Sequence, residues 1–134
     1  LSDAYAFKHP LTFYAMNILI IDDNLLVLKK LSYYLNKKGH KVIESTNAME
    51  ALSLILKHQP DLVITDLLMP YVTGSELYKT LNYLNKTETK MLFITSLKDK
   101  YIKYLDKEIN NELVLRKPIN YDHLDSKIQE VALA

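Results

Sequence analysis

Five short apolar runs recur along this chain, each followed by a longer stretch with helical apolar spacing, and that alternation most constrains the fold. The runs are Asn17–Asp22 (NILIID), the KVIEST segment around Val42 and Ile43, Leu62–Ile64, Met91–Thr95 and Leu113–Leu115. Near-continuous apolar runs suit strands buried on both faces, the condition of a parallel sheet. The intervening stretches place apolar residues three and four apart. They are Val27, Leu28, Leu31, Tyr34 and Leu35; then Ala48, Ala51, Leu52, Ile55 and Leu56; then Leu77, Leu81 and Leu84. Ile102, Leu105 and Ile109 follow, and Tyr121, Leu124, Ile128 and Val131 form the last set. Strand and helix alternating five times, with right-handed crossovers, predict a doubly wound α/β domain: a five-stranded parallel sheet with five helices.

Local signals punctuate the pattern. Asn24 can cap the first helix, and Lys37, Lys38 and Gly39 end it with cations and a glycine at its negative pole. Asn47 and Glu50 have the spacing of a capping box, with Asn in place of Ser or Thr, and Pro60 closes the second helix. Residues 1–15 have no clear period and are taken as an N-terminal extension without assigned function; residues 16–134 form one domain. A chain of 134 residues with 49% hydrophobic content has room for a real core.

The stretch Asp61–Gly74, DLVITDLLMPYVTG, concentrates the functional signal. Its strand stops at Asp66, Met69-Pro70 forces an extended turn, and Gly74 opens the next helix. Ligands of open α/β sheets bind in the crevice beyond the carboxyl ends of the strands. Asp22 and Asp23 end the first strand, Asp66 the third, Thr95 the fourth and Lys117 the fifth, so all five are expected at one crevice.

Composition narrows the chemistry. With only two glycines, Gly39 and Gly74, neither a GxGxxG nor a GxxxxGK phosphate loop can be present. The absence of cysteine excludes disulfides and thiolate metal sites and weakly favours a cytoplasmic protein. A net charge of +1 gives no field to draw nucleic acid or an acidic membrane, and no apolar run reaches membrane-spanning length. His9, His40, His58 and His123 are read as surface residues, not ligands. The tyrosines of Tyr71–Tyr104 are read as helix packing.

Three carboxylates at one crevice repel; a pair about 5 Å apart at an effective dielectric near 20 costs roughly 3 kcal/mol. An all-oxygen cluster without His or Cys favours Mg²⁺ over zinc as the compensating cation. A hydroxyl from Thr95 and an ammonium from Lys117 would complete a cradle for a transferred phosphoryl group, with Asp66 as candidate nucleophile. Plainer roles stand beside these: Asp22 or Asp23 as helix caps, Thr95 as a strand former, Lys117 as a solvated charge.

From Asn17 to the C-terminus the chain resembles the receiver domains of two-component response regulators. The resemblance rests on the IDD of the first strand, D-x-x-M-P-x-x-x-G over Asp66–Gly74, the Thr after strand four and the Lys-Pro after strand five. It implies a flavodoxin-like sheet of order 2-1-3-4-5. It also implies that Asp66 takes a phosphoryl group from a histidine kinase or phosphotransfer protein. Asp23 and Asp66 would bind Mg²⁺ directly with the Leu68 carbonyl, and Asp22 mainly through water. Lys117 would hold the phosphoryl oxygens and Thr95 would move toward them as the switch. Such a domain signals and is not an enzyme beyond self-phosphorylation from small donors and slow autodephosphorylation.

Two departures bear on that reading. Val114 stands where receivers carry Tyr or Phe, so coupling by a rotating ring is in question, and Tyr101 or Tyr104 could take its place. Leu68 and Leu97, two residues after Asp66 and Thr95, offer no polar group to hold an attacking water, which predicts a long-lived phosphoryl-aspartate. The alternatives are a phosphorylation-independent pseudo-receiver and, behind it, a Mg²⁺-dependent phosphohydrolase. The latter usually has a DxD strand and a cap domain, which the adjacent Asp22-Asp23 and the chain length disfavour. The fourth helix, fifth strand and fifth helix would form the output face, with Lys98, Lys100, Lys103 and Lys107 beside Asp99, Asp106 and Glu108, and could support a homodimer. The effector and the cognate kinase are not legible.

Overall fold

The computed structural model describes residues 13–69, 72–84, 88–102 and 109–134. Several expectations fall outside that set: the extension up to residue 12 with His9, the turn at Pro70 and Tyr71, and residues 103–108. The last range holds Lys103, Tyr104, Leu105, Asp106, Lys107 and Glu108.

Strands β1 (Asn17–Ile21), β2 (Lys41–Ser45), β3 (Leu62–Asp66), β4 (Lys90–Thr95) and β5 (Val114–Arg116) form one parallel sheet in the order β2-β1-β3-β4-β5. Four full helices alternate with them: α1 (Leu25–Lys37), α2 (Ala51–His58), α3 (Gly74–Tyr83) and α5 (Tyr121–Leu133). Between β4 and β5 a short helix, α4, is described over Asp99–Ile102. The doubly wound fold and its strand order are as expected.

Period-two alternation sends the strand residues to two cores. Ile18, Ile20, Leu62, Ile64, Leu92, Ile94 and Leu115 meet Leu28, Leu31 and Leu35 of α1 and Leu124 and Ile128 of α5. Leu19, Ile21, Val63, Met91 and Phe93 meet Ala51 and Ile55 of α2 and Leu77 and Leu81 of α3. Truncating a fully buried member such as Leu31 or Ile55 to Ala would cost about 2–5 kcal/mol.

The ends of the elements follow local chemistry. The Asn24 side chain accepts from Leu26 N and Val27 N, and Gly39 takes φ +101° just past α1, a conformation that favours glycine. The Thr73 side chain accepts from Glu76 N at the start of α3.

Four expectations need correction. The Asn47–Glu50 capping box does not form: Asn47 Oδ1 accepts from Met49 N at a 3-10 turn over Ala48–Glu50, while the Ser45 hydroxyl donates to Glu50 Oε1 at 2.6 Å. Leu113 lies in a 3-10 turn and β5 begins at Val114, because the Asn110 side chain caps that turn through Glu112 N. Leu56 and Leu84 face solvent, lying off the buried stripe of their helices. His40 is buried, with 5% exposure, because its ring accepts a backbone hydrogen bond from Met16. His58 and His123 are exposed as expected.

Candidate functional site

Sheet register sets the geometry of the crevice. Ile21 pairs with Thr65, so Asp22 and Asp66 follow at the same level on neighbouring strands. Asp66 pairs with Ile94 and Thr95 with Arg116, so Thr95 and Lys117 lie one step further along β4 and β5. The strand-end carboxylates, hydroxyl and ammonium thus converge because five parallel strands end nearly in line.

Carboxylate oxygens of Asp22, Asp23 and Asp66 lie within 4.8 Å of one another, with Asp22 and Asp66 buried and Asp23 exposed. Lys117 Nζ lies 2.8 Å from Asp22 Oδ2 and 2.8 Å from Asp66 Oδ2. The contact to Asp66 is an aligned hydrogen bond. The contact to Asp22 is one of charge without alignment, and Asp22 Oδ2 has no hydrogen-bond donor among the described residues. Its other oxygen, Oδ1, accepts from Asn24 N at 2.8 Å. A buried anionic oxygen whose one close partner is an ammonium shared with Asp66, beside two further carboxylates and open to solvent at Asp23, fits a small hard cation that keeps water ligands.

Asp66 is held from several sides. Its Oδ1 accepts from Leu68 N at 3.1 Å. The Thr65 hydroxyl donates to its backbone carbonyl at 3.1 Å. Gly74 N donates to Leu67 O at 3.1 Å, and a Cβ at Gly74 would sit 2.6 Å from Asp66 O. The sequence marked Gly74 only as a helix start; the closeness of α3 to the backbone of Asp66 is what requires glycine there. Burial pushes the Asp66 carboxyl above the usual range, against the pull of Lys117 and the Leu68 N–H. Burial also depresses Lys117, but its close contacts with the Asp22 and Asp66 carboxylates outweigh that and hold the ammonium above its ordinary value.

Thr95 is buried at the end of β4 and its Oγ1 accepts from Leu97 N at 3.1 Å. Its carbonyl accepts from Lys117 N at 2.8 Å, just before the cis Lys117-Pro118 bond. Leu68 is exposed and Leu97 half-buried. Val114 is half-buried against the core formed with α2 and α3. The sequence reading missed the amide of Leu68 and that of Asn24 as donors to the carboxylates, since backbone groups leave no mark on residue type.

Known proteins share the family and the fold. The family model of the response regulator receiver domain matches residues 18–129. The alkaline phosphatase synthesis transcriptional regulatory protein PhoP of Bacillus subtilis is 26% identical over 114 residues, covering 85% of this chain and 47% of its own length. Sporulation initiation phosphotransferase F of Bacillus subtilis is 25% identical over 113 residues, covering 84% of this chain and 90% of its own. The chain spans about half the length of some curated relatives, PhoP among them. The chemotaxis response regulator CheY4 of Vibrio cholerae superposes with a TM-score of 0.77 at 27% identity, covering 88% of this chain and 99% of that one. A putative response regulator from Chloroflexus aurantiacus does so with a TM-score of 0.80 at 28% identity, covering 90% and 100%.

Proposed function

This chain belongs to the response regulator receiver domain family, and from that premise we propose that Asp66 accepts a phosphoryl group from a histidine kinase or phosphotransfer protein. The observation that carries the reading is the Lys117 ammonium, 2.8 Å from both the Asp22 and the Asp66 carboxylates. A fixed positive charge there would meet arriving phosphoryl oxygens, and it favours the ionised form of Asp66 against the effect of burial.

Receiver domains are in general signalling domains, and the chemistry proposed is a single transfer. An Asp66 oxygen attacks the phosphorus of the phosphohistidine, and the new O–P bond forms as the P–N bond breaks. The imidazole leaves with the electron pair and is protonated from solvent. Lys117 shifts from Asp66 to the incoming oxygens, and the Leu68 N–H keeps the carboxylate oriented. Asp22, Asp23, Asp66 and the Leu68 carbonyl would hold Mg²⁺, which supplies further neutralisation of the phosphoryl charge. Thr95 gives up its bond from Leu97 N and turns its hydroxyl to the phosphoryl group. That motion is relayed to α4, β5 and α5, the face proposed for effectors or a second copy. Val114 replaces an aromatic relay there, so the relay runs through backbone and packing. The exchange is proposed to occur in the cytoplasm, without nucleic acid or membrane bound by this domain.

Incubation with acetyl phosphate and Mg²⁺, read by intact mass, tests the reading. A gain of one phosphoryl group that is labile to hydroxylamine and absent in Asp66→Asn is the expected result. No gain, together with no binding of beryllofluoride, would move the reading to a phosphorylation-independent interaction module.

A further inference from the structure

The end of the sheet opposite the crevice carries a set of contacts that the phosphoryl chemistry does not use. Ahead of β1, three of the four residues from Phe13 to Met16 are tied to the rest of the domain. The Phe13 ring lies 5.2 Å from the His40 ring, and its edge lies over Gly39, 3.7 Å from where a Cβ would sit. Tyr14 is bound twice by one amide of α5: its N–H donates to Gln129 Oε1 at 2.9 Å, and its carbonyl accepts from Gln129 Nε2 at 3.2 Å. Met16 N–H donates to His40 Nδ1 at 3.0 Å, and the Met16 carbonyl accepts from Lys41 N at 3.0 Å.

We propose that these contacts form a proton-gated clasp, in which neutral His40 holds Phe13–Met16 against the base of the domain and protonated His40 releases it. Nδ1 can accept the Met16 N–H only while it carries a lone pair; imidazolium offers two donors and would face that N–H with a proton of its own. Burial lowers the affinity of His40 for that proton, and Asp125 of α5 acts in the opposite sense. Lys38, at the end of α1, lies 3.6 Å from Asp125 and offsets part of its charge, and Lys41 follows His40 at the exposed start of β2.

The sign follows from linkage. The proton affinity of His40 is depressed when the clasp is closed, so closure is fully favoured above the ordinary His range. It is lost as pH falls through that range toward the depressed value. Within that window the opening equilibrium rises about tenfold per pH unit of acidification. The occupant is the segment that enters β1, so the clasp would set, by pH, the direction in which whatever precedes residue 13 leaves the domain.

Amide exchange of Met16 at pH 7.5, 6.5 and 5.5, corrected for intrinsic rates, tests the clasp on the full chain. The His40 ring carbons report its protonation in the same samples. The expected result is a fall in Met16 protection of about tenfold per pH unit below pH ~6.5, beginning ahead of ring protonation and complete once the ring is protonated, while Leu19 of β1 stays protected. In His40→Asn the side-chain oxygen stands where Nδ1 does and does not titrate, so Met16 protection is expected to stay flat. Should that variant fail to fold, the unaltered chain decides the matter: Met16 must have lost its protection by the pH at which the ring is protonated. Protection that stays flat while the ring titrates, or an equal fall in His40→Asn, would overturn the clasp. So would a ring that stays neutral and an amide that stays protected down to pH 5.

Discussion

Asp66, the proposed acceptor, is buried and its carboxyl is pushed up by that burial, with Lys117 and the Leu68 N–H pulling the other way. A carboxyl raised in the folded state gives its stabilising share below the unfolded value and loses it as pH rises through the folded value. The ionised Asp66 therefore works against folding at neutral pH. Asp66→Asn should melt higher than the unaltered chain at pH 7, and the gap should close on going to pH 4, as thermal melts would read. Phosphoryl acceptance from acetyl phosphate should fall off on the acid side at a pH above the ordinary carboxylate range; a rate flat down to pH 4 would contradict the shift. The leucines bear on the opposite step. Leu68→Asn supplies a polar group beside the proposed phosphoryl-aspartate and should hasten its loss by about tenfold, some 1.4 kcal/mol in barrier, measured by decay of the phosphorylated mass.

Element placement explains how much of this was legible in sequence. The five strands and the caps at Asn24 and Gly39 were readable because period, apolar runs and cap residues are local signals. The meeting of Asp22, Asp66 and Lys117 was readable too, since parallel strands that end in register bring their last residues together. The Asn47–Glu50 pair misled because Ser45, two residues upstream, competes for Glu50. His40 misled because nothing in its neighbours announces that Met16, 24 residues earlier, will donate to it. Gly74 belongs to the same class: its need for hydrogen at Cα comes from the Asp66 carbonyl across the turn. Gly74→Ala should cost about 1–3 kcal/mol by forcing α3 away from β3. It should also slow phosphorylation at saturating acetyl phosphate, whereas Ser75→Ala, one residue on, should leave both nearly unchanged.

At the scale of the whole molecule, the crevice end of the sheet is a charge device and the opposite end a packing device. Two carboxylates share one ammonium at the crevice, leaving negative charge that a divalent cation would relieve. A ligand that binds only the folded state stabilises by about 2.7 kcal/mol at 100 times its dissociation constant. Millimolar Mg²⁺ should therefore raise the melting temperature by several degrees, and Asp23→Asn should abolish most of that rise without unfolding the domain, since Asp23 is exposed. No helix among the described residues is long and apolar enough to cross a membrane. The proposed acceptor, Asp66, is the last residue of β3. Reduction of the phosphorylated protein with borohydride, followed by peptide sequencing by mass spectrometry, reads that position directly, because an aspartyl-phosphate becomes homoserine. Homoserine at residue 66, dependent on Mg²⁺, is the predicted result; homoserine elsewhere, or a phosphoryl mass gain with Asp66 unreduced, would contradict Asp66 as the acceptor.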